Sequence, residues 1–377
     1  MSNIVIESPE ETKLFDGLEK REDAEGKRLT RFLAMPDLSR AEGSPLAAVI
    51  ERVKKIEVFK GFDDIKIPEI IPTKILFDLF NMPPGHPARS KSDTYYVDEK
   101  NVLRTHDTVF WYYYFDHPKI REKISKKEDF GAICYGKVYR KDEIDRHHMN
   151  VFHQFGGLYL APDEKKTVVL DDLKRVLGEV AKSIFGPDVE YNFTPETFPY
   201  TDPSIEMNIK VRGEWMEMVG SGLPRKDVLK NFGVTGYNGW AFGFGLERLA
   251  IVSMNLPDIR LLWSNDERVK RQLKLGNPYK EVSKYPPIVR DISFVVDKNF
   301  VPNNYFDLIR DVGGELVEEV KLLDKYENPE KFGSDKTSYT YRTVYRSMER
   351  TLTNEEVDKI HKEIEERTKK EFKAAVR

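Results

Sequence analysis

Leu46, Val49, Ile50, Val53 and Ile56 recur at spacings of three and four, which places them on one face of an α-helix. Ser44-Pro45 stands just before them, a capping serine followed by a proline suited to the first helical position. Further along, the apolar residues gather into short strand-like runs at 65–71, 94–97, 132–139, 151–160, 206–211, 215–219 and 237–244. Hairpin-length or loop-length connections join them, with one helical stretch at 168–185 between the middle strands. This pattern predicts an α+β fold, a mainly antiparallel sheet flanked by helices rather than a doubly wound parallel one.

Residues 1–43 are charged and weakly periodic and read as an N-terminal extension, flexible or loosely docked. Gly276-Asn277-Pro278 and Pro286-Pro287 punctuate the chain and mark a linker over 276–286. The main domain is thus expected over 44–275 and a second over 287–377. In the second, Ile292, Phe294 and Val296 alternate along a strand, 305–311 is helical, and 316–326 and 338–346 are strands. Thr353-x-x-Glu356 forms a capping box ahead of a helix bearing Val357, Ile360, Ile364 and Phe372. This βαββα order is most of a small ferredoxin-like domain, with no closing strand evident before Arg377.

A chain of 377 residues carries two domains comfortably. No run approaches the ~18 consecutive apolar residues of a membrane span. With 61 basic and 64 acidic residues the net charge is -3, so any nucleic-acid contact uses a local patch. The single cysteine, Cys134, excludes an intrachain disulfide framework and a cysteine-based zinc site. A reducing, cytoplasmic location is the expectation, with the mitochondrial matrix open to a processed form.

Six of the seven histidines (His86, His106, His117, His147, His148 and His153) fall in one stretch. Without cysteines or a tight carboxylate set they point to a polar active-site region rather than a metal cluster. Arg140 ends one strand, and Phe152-His153-Gln154 begins the next. A hairpin with that pair of edges can clamp a nucleotide, arginine on phosphate and an aromatic face on the base. A surface hairpin with solvated charges is the plainer alternative. Gly239, Gly243 and Gly245 interrupt an apolar strand that runs into Leu246-Glu247-Arg248, and glycine inside a strand marks close approach of a ligand or of backbone.

Together these segments resemble a known family. Arg140 in VYRKDEID and Arg248 in GFGLERLAIV resemble motifs 2 and 3 of the class II aminoacyl-tRNA synthetases. HPARSKSDTYYV (86–97), LRTH (103–106), VFHQ (151–154), FPYTDPSIEM (198–207) and GWAFGFGLERL (239–249) are closer still to phenylalanyl-tRNA synthetase. KYPPIVRDISFVV, GGELVEEVKLLDKY and YRSMERTLTNEEV resemble the ferredoxin-fold anticodon-binding domain of that family. Fused in one chain, the halves are similar to the single-chain, mitochondrial-type enzymes.

The resemblance implies ATP-dependent activation of phenylalanine and its transfer to tRNA(Phe), by a monomer needing no second subunit. By motif, Arg140 would hold the α-phosphate and His148 the outer phosphates. Phe152 and Arg248 would sandwich adenine, with Gly245 beside the nucleotide and Asp142 or Glu143 near the adenine amino group. Magnesium would take carboxylate oxygens, for which Glu206 and Glu217 are the candidates, Glu217 also lying at the ATP. His106, Thr108 and Gln154 would meet the amino acid's polar end, and Phe198, Tyr200 and Ala241 its ring. In the tail, Tyr341, Arg342, Arg346 and Arg350 mix aromatic and basic character suited to single-stranded RNA. No editing domain is recognisable, so hydrolysis of mischarged tyrosyl-tRNA is not expected.

Three departures cluster near the amino acid. Gly156 stands where the family has a glutamate facing the substrate ammonium, Trp111 replaces a glutamine, and Tyr200 replaces a phenylalanine. A buried ammonium without an acceptor is costly. Another carboxylate, Asp107 or Glu217, would have to stand in, or the pocket takes a different ligand. The departures keep open a paralogue of altered amino-acid or acceptor specificity. A non-catalytic RNA-binding relative is a further alternative, opposed by the retention of Arg140 and Arg248.

Overall fold

The computed structural model describes residues 2–143, 145–281 and 285–377. Ile144 and Lys284 of the quoted motifs, and 282–284 of the expected linker, therefore lie outside the described residues. The chain divides into two compact units, one of Met1–Tyr139, Val151–Leu256 and Leu273–Pro278, the other of Arg140–Asn150, Pro257–Gln272 and Tyr279–Arg377.

In the first unit the strands are β1 (Asn3–Val5), β2 (Asp63–Lys66), β3 (Ile70–Pro72), β4 (Asn101–Leu103), β5 (Phe130–Tyr139), β6 (Val151–Pro162), β7 (Tyr191–Phe198), β8 (Thr201–Val211), β9 (Glu214–Pro224) and β10 (Tyr237–Gly245). Eight of them form one sheet in the order β1-β2-β5-β6-β10-β9-β8-β7, while β3 and β4 pair separately. The pairs β1–β2 and β2–β5 are parallel, and every pair from β5 to β7 is antiparallel. A mainly antiparallel sheet follows, as the short connections require.

The run at 65–71 divides into β2 and β3, because Pro68 interrupts it. The run at 94–97 is no strand and contributes only an isolated bridge, Tyr96 to Val102. β7 has no counterpart in the sequence reading, since its alternation is masked by exposed polar residues on an edge strand. Residues 2–43 are not loosely docked. β1 extends the main sheet, and Ser8 and Asp23 cap the helices Pro9–Glu19 and Ala24–Ala34. Leu18, Leu29 and Phe32 from those helices pack with Ile70, Tyr95, Tyr139 and Val151. Only a few apolar residues do this, which is why the surrounding charge hid them.

The two faces of the large sheet differ. On one, Phe155 and Phe242 pack with Phe59 at ring separations of 5.5–6.3 Å. The helix Pro45–Val53 lies against Leu170–Phe185 and Leu246–Met254. On the other face, Ala132, Cys134, Leu158 and Ala241 pack beneath Phe80, Trp111 and Tyr114.

The second unit contains β11 (Ile288–Asp297), β12 (Val317–Tyr326), β13 (Lys336–Tyr345) and β14 (Ala375–Val376), in the sheet order β12-β13-β11-β14. Helices Pro302–Gly313 and Asn354–Phe372 join them into a βαββαβ ferredoxin-type unit. The closing strand is only two residues long, Val376 opposite Phe294 and Ala375 opposite Val295, too short for any periodicity to announce it. The Thr353/Glu356 capping box forms reciprocally, and Arg350 holds the same glutamate, pushing its carboxyl down to about 2.

His361 lies buried in this unit, its Nδ1 3.2 Å from the Tyr345 hydroxyl, and burial lowers its pKa. Protonation therefore favours the unfolded chain. The unit should be most stable above the unfolded histidine value of about 6.5 and lose stability as pH falls below it. In His361→Gln that loss should shrink, measured as urea midpoints between pH 7.5 and 5; an unchanged pH dependence would contradict the assignment.

Candidate active site

Register assembles the floor of the site. Cys134 on β5 lies opposite Gly156 on β6, Gly156 opposite Gly243 on β10, Gly243 opposite Gly220 on β9, and Gly220 opposite Glu206 on β8. Three glycines on three adjacent strands thus form a row across the sheet. Directly paired residues share a face, and side chains alternate along each strand. Gln154 and Phe152 therefore stand on the same face as Gly156, and Ala241 and Gly245 on the same face as Gly243.

The absence of side chains in this row is matched by what lies over it. A Cβ at Gly220 would come within 2.7 Å of the Phe198 ring. At Gly156 it would come within 2.3 Å of Asp107 Oδ2, and at Gly243 within 3.3 Å of Asp107 Oδ1. Beside these, Phe198 stacks on Tyr200 at 5.9 Å and 13°, and Tyr200 lies parallel to His106 at 6.2 Å. Phe80 and Trp111 meet Tyr200 edge-on at 5.7 and 6.2 Å. The result is an aromatic wall of the kind that favours an aromatic ring. Trp111 is part of that wall. Phe80 joins it without any signal in the sequence, since its role depends on a turn far from the motifs.

Of the residues expected at the amino acid, His106, Thr108, Gln154, Phe198, Tyr200 and Ala241 belong to this one unit. The Gln154 Oε1 accepts the Asp107 N–H at 2.9 Å, tying β6 to the turn that carries His106, Asp107 and Thr108. His153, facing away, is fully buried. Its Nε2 accepts the Leu38 N–H at 2.9 Å, so Nδ1 carries the proton and donates to Glu247 Oε1 at 2.6 Å. The Glu247 carboxylate also accepts the His153 N–H. Glu247 was not singled out in the sequence, yet it fixes the start of helix Leu246–Met254 against β6.

Arg248 follows Glu247 on that helix, three residues beyond Gly245. It is half exposed, and its Nη1 donates to the Glu217 carbonyl at 2.8 Å and lies 3.8 Å from Glu217 Oε1. Burial and the neighbouring Glu217 and Glu196 raise the Glu206 pKa. Among the described residues no group of three or more histidine, cysteine or acidic side chains gathers as a metal site, so Glu206 and Glu217 offer at most a pair of carboxylates to a cation that also takes oxygens from substrate phosphates. Phe152 is partly exposed.

The remaining nucleotide candidates lie in the second unit. Arg140 follows β5 directly and is exposed, and its N–H donates to the Asn150 carbonyl. His148 Nδ1 is 2.8 Å from Asp145 Oδ2. Burial opposes ionisation of Asp145, but the bonds from His148 and from the His147 N–H outweigh it and lower its pKa. The carbonyls of Asp142 and Glu143 accept from Arg310 at 3.1 and 2.7 Å.

The candidate RNA residues are placed differently from the expectation. Tyr341 is buried among Phe294, Tyr305 and Phe306, so its ring is core and presents no face to a base. Arg342 is bonded twice to Asp291, Arg346 to Glu318 and the Tyr285 carbonyl, and Arg350 to Glu356. Alternation along β13 put Tyr341 and Arg342 on opposite faces, and the apolar helices claimed the tyrosine. Cys134 is likewise inert, its thiol pushed up to about 12, chiefly by burial.

The Gly220→Val variant should raise the KM for the amino acid at least about 10-fold, because the new side chain drives Phe198 into the ring pocket, while the KM for ATP stays within about 3-fold. Equal KM values for the amino acid in both proteins would show that Phe198 does not border the ligand.

Comparison with known proteins places both parts of the chain in families. Residues 32–273 match the family described as tRNA synthetases class II core domain (F), and 283–377 match the ferredoxin-fold anticodon binding domain. A chloroplastic/mitochondrial phenylalanine–tRNA ligase of Arabidopsis thaliana is 38% identical over 330 residues, covering 85% of this chain and 73% of its own. The mitochondrial phenylalanine–tRNA ligase of Mus musculus is 34% identical over 370 residues, covering 85% and 79%. A phenylalanine–tRNA ligase alpha subunit of Persephonella marina is 32% identical over 279 residues, 70% of this chain. The organellar names of the first two give no support to the cytoplasmic expectation. The chain belongs to the phenylalanine–tRNA ligase family, with a class II synthetase core and a ferredoxin-fold anticodon-binding domain in one polypeptide.

Proposed function

We propose that this chain condenses phenylalanine with ATP to phenylalanyl-adenylate and pyrophosphate, then passes the phenylalanyl group to tRNA(Phe). The observation that carries the amino-acid assignment is the aromatic wall of Phe198, Tyr200, Trp111 and Phe80 beside a side-chain-free floor at Gly156, Gly243 and Gly220. A flat ring fits against such a wall, and its polar end reaches His106, Thr108 and Gln154.

Activation needs no general base, because the amino acid's own carboxylate is the nucleophile at the α-phosphorus and pyrophosphate leaves. What the protein supplies is alignment and charge. Arg140 takes the α-phosphate and the charge that grows on it, and His148, oriented by Asp145, takes the outer phosphates. Phe152 and the Arg248 guanidinium hold the adenine, adding cation–π attraction to stacking. Gly245 leaves room beside them, and Asp142 or Glu143 meets the adenine amino group. Glu206 and Glu217 would hold magnesium, which would supply countercharge to the phosphates. The ferredoxin-fold unit meets the anticodon stem through exposed arginines such as Arg342 and Arg350. The protein acts as a monomer with no separate catalytic subunit. Its place is the mitochondrial matrix, which the organellar names of its relatives support.

ATP–pyrophosphate exchange by the purified chain should respond to phenylalanine among the twenty amino acids, and Arg248→Ala and Arg140→Ala should each lower it on the order of 100-fold or more. Exchange with another amino acid would favour the paralogue, and no binding of ATP would favour the non-catalytic relative.

A further inference from the structure

A phenylalanine substrate would bring its α-ammonium against the turn that carries the buried His106 and Asp107, and an ammonium taken out of water needs a negative partner. Gly156, Gly243 and Gly220 bear no side chains, and the carboxylate that continues their row, Glu206, is the one assigned to magnesium. Two carboxylates were candidates. Glu217 is exposed, and its charge is answered by the Arg248 guanidinium 3.8 Å away. Asp107 is 2% exposed and lies over the floor itself, one oxygen above Gly156 and the other above Gly243. It is flanked in sequence by His106 and Thr108, and its own N–H is held by Gln154, so it sits on the same turn as two of the polar residues expected at the amino acid and is tied to the third.

From this placement we infer that Asp107 is the specificity-determining residue that binds the substrate ammonium, its carboxylate entering from the turn above the sheet instead of from a side chain on β6. Gly156 is glycine because that carboxylate occupies the space its Cβ would fill, at 2.3 Å. The two positions form one device: the turn brings the charge, and the strand gives up its side chain to admit it. Gly243 completes the seat, with the Asp107 oxygen at 3.3 Å from where its Cβ would stand. Burial, with a smaller contribution from the Asp107 charge, keeps the Cys134 thiol protonated. The neutral thiol therefore adds no second charge to the seat.

The inference rests on the phenylalanine reading, and the test separates the two. The probes are the non-hydrolysable sulfamoyl analogue of phenylalanyl-adenylate and its desamino counterpart, built on 3-phenylpropanoate, with binding measured by calorimetry. Wild-type protein should prefer the amino form on the order of 100-fold or more, since a site built for a polar group rejects the analogue that lacks it. Asp107→Asn should reduce that preference to less than about 10-fold and raise the KM for phenylalanine on the order of 100-fold, with the KM for ATP nearly unchanged. Gly156→Ala, whose methyl displaces the carboxylate, should show the same selective loss and serves if the aspartate variant does not fold. An undiminished preference for the amino form in either folded variant would overturn the role of Asp107. If wild-type protein bound neither analogue, the phenylalanine reading itself would fail, and the inference with it.

Discussion

The site depends on one constraint: three neighbouring strands must all forgo a side chain at the same level of the sheet. Gly156, Gly243 and Gly220 are held in that alignment by the antiparallel register of β6, β10 and β9. A slip of one residue in any strand would turn the row to the opposite face and fill the pocket with Phe155, Phe242, Phe244 or Val219. Glycine weakens a strand by removing its packing, so the cost must be offset elsewhere. The opposite face does this with Phe155 and Phe242 against Phe59, and with the helices behind them.

A buried polar pair secures the same register. His153 has both ring nitrogens occupied, and Glu247 accepts from its ring and its backbone. Breaking such a pair by removing one partner typically costs about 3 kcal/mol or more, because the other is left buried. Its consequence is positional. Glu247 immediately precedes Arg248, and His153 stands between Phe152 and Gln154, so one interaction fixes residues assigned to both the nucleotide and the amino acid.

Much of this was legible in the sequence, and the limits were physical. The strands β5, β6, β9 and β10 and the capping box of the last helix were visible because their apolar and capping patterns are local. The N-terminal 43 residues misled because their few buried positions, Leu18, Leu29 and Phe32, are scattered among charges and gain their partners only from distant strands. β14 was too short to show a period. At the site, Arg248 and Gln154 were found through motifs, whereas Phe80 and Glu247 act through packing that no spacing reveals. Tyr341 misled in the opposite sense. It sits in an aromatic and basic segment that suits RNA, yet alternation turns its ring into the core. The missing glutamate at Gly156 was readable as a loss, but only the close approach of the Asp107 carboxylate shows what the glycine accommodates.

A crystal structure with the non-hydrolysable phenylalanyl-adenylate analogue bound tests the central claim most directly. The phenyl ring is expected against Phe198 and Tyr200, the ammonium at Asp107, and the adenine between Phe152 and Arg248. A ring seated away from Phe198 and Tyr200, or an ammonium without the Asp107 carboxylate beside it, would contradict this reading.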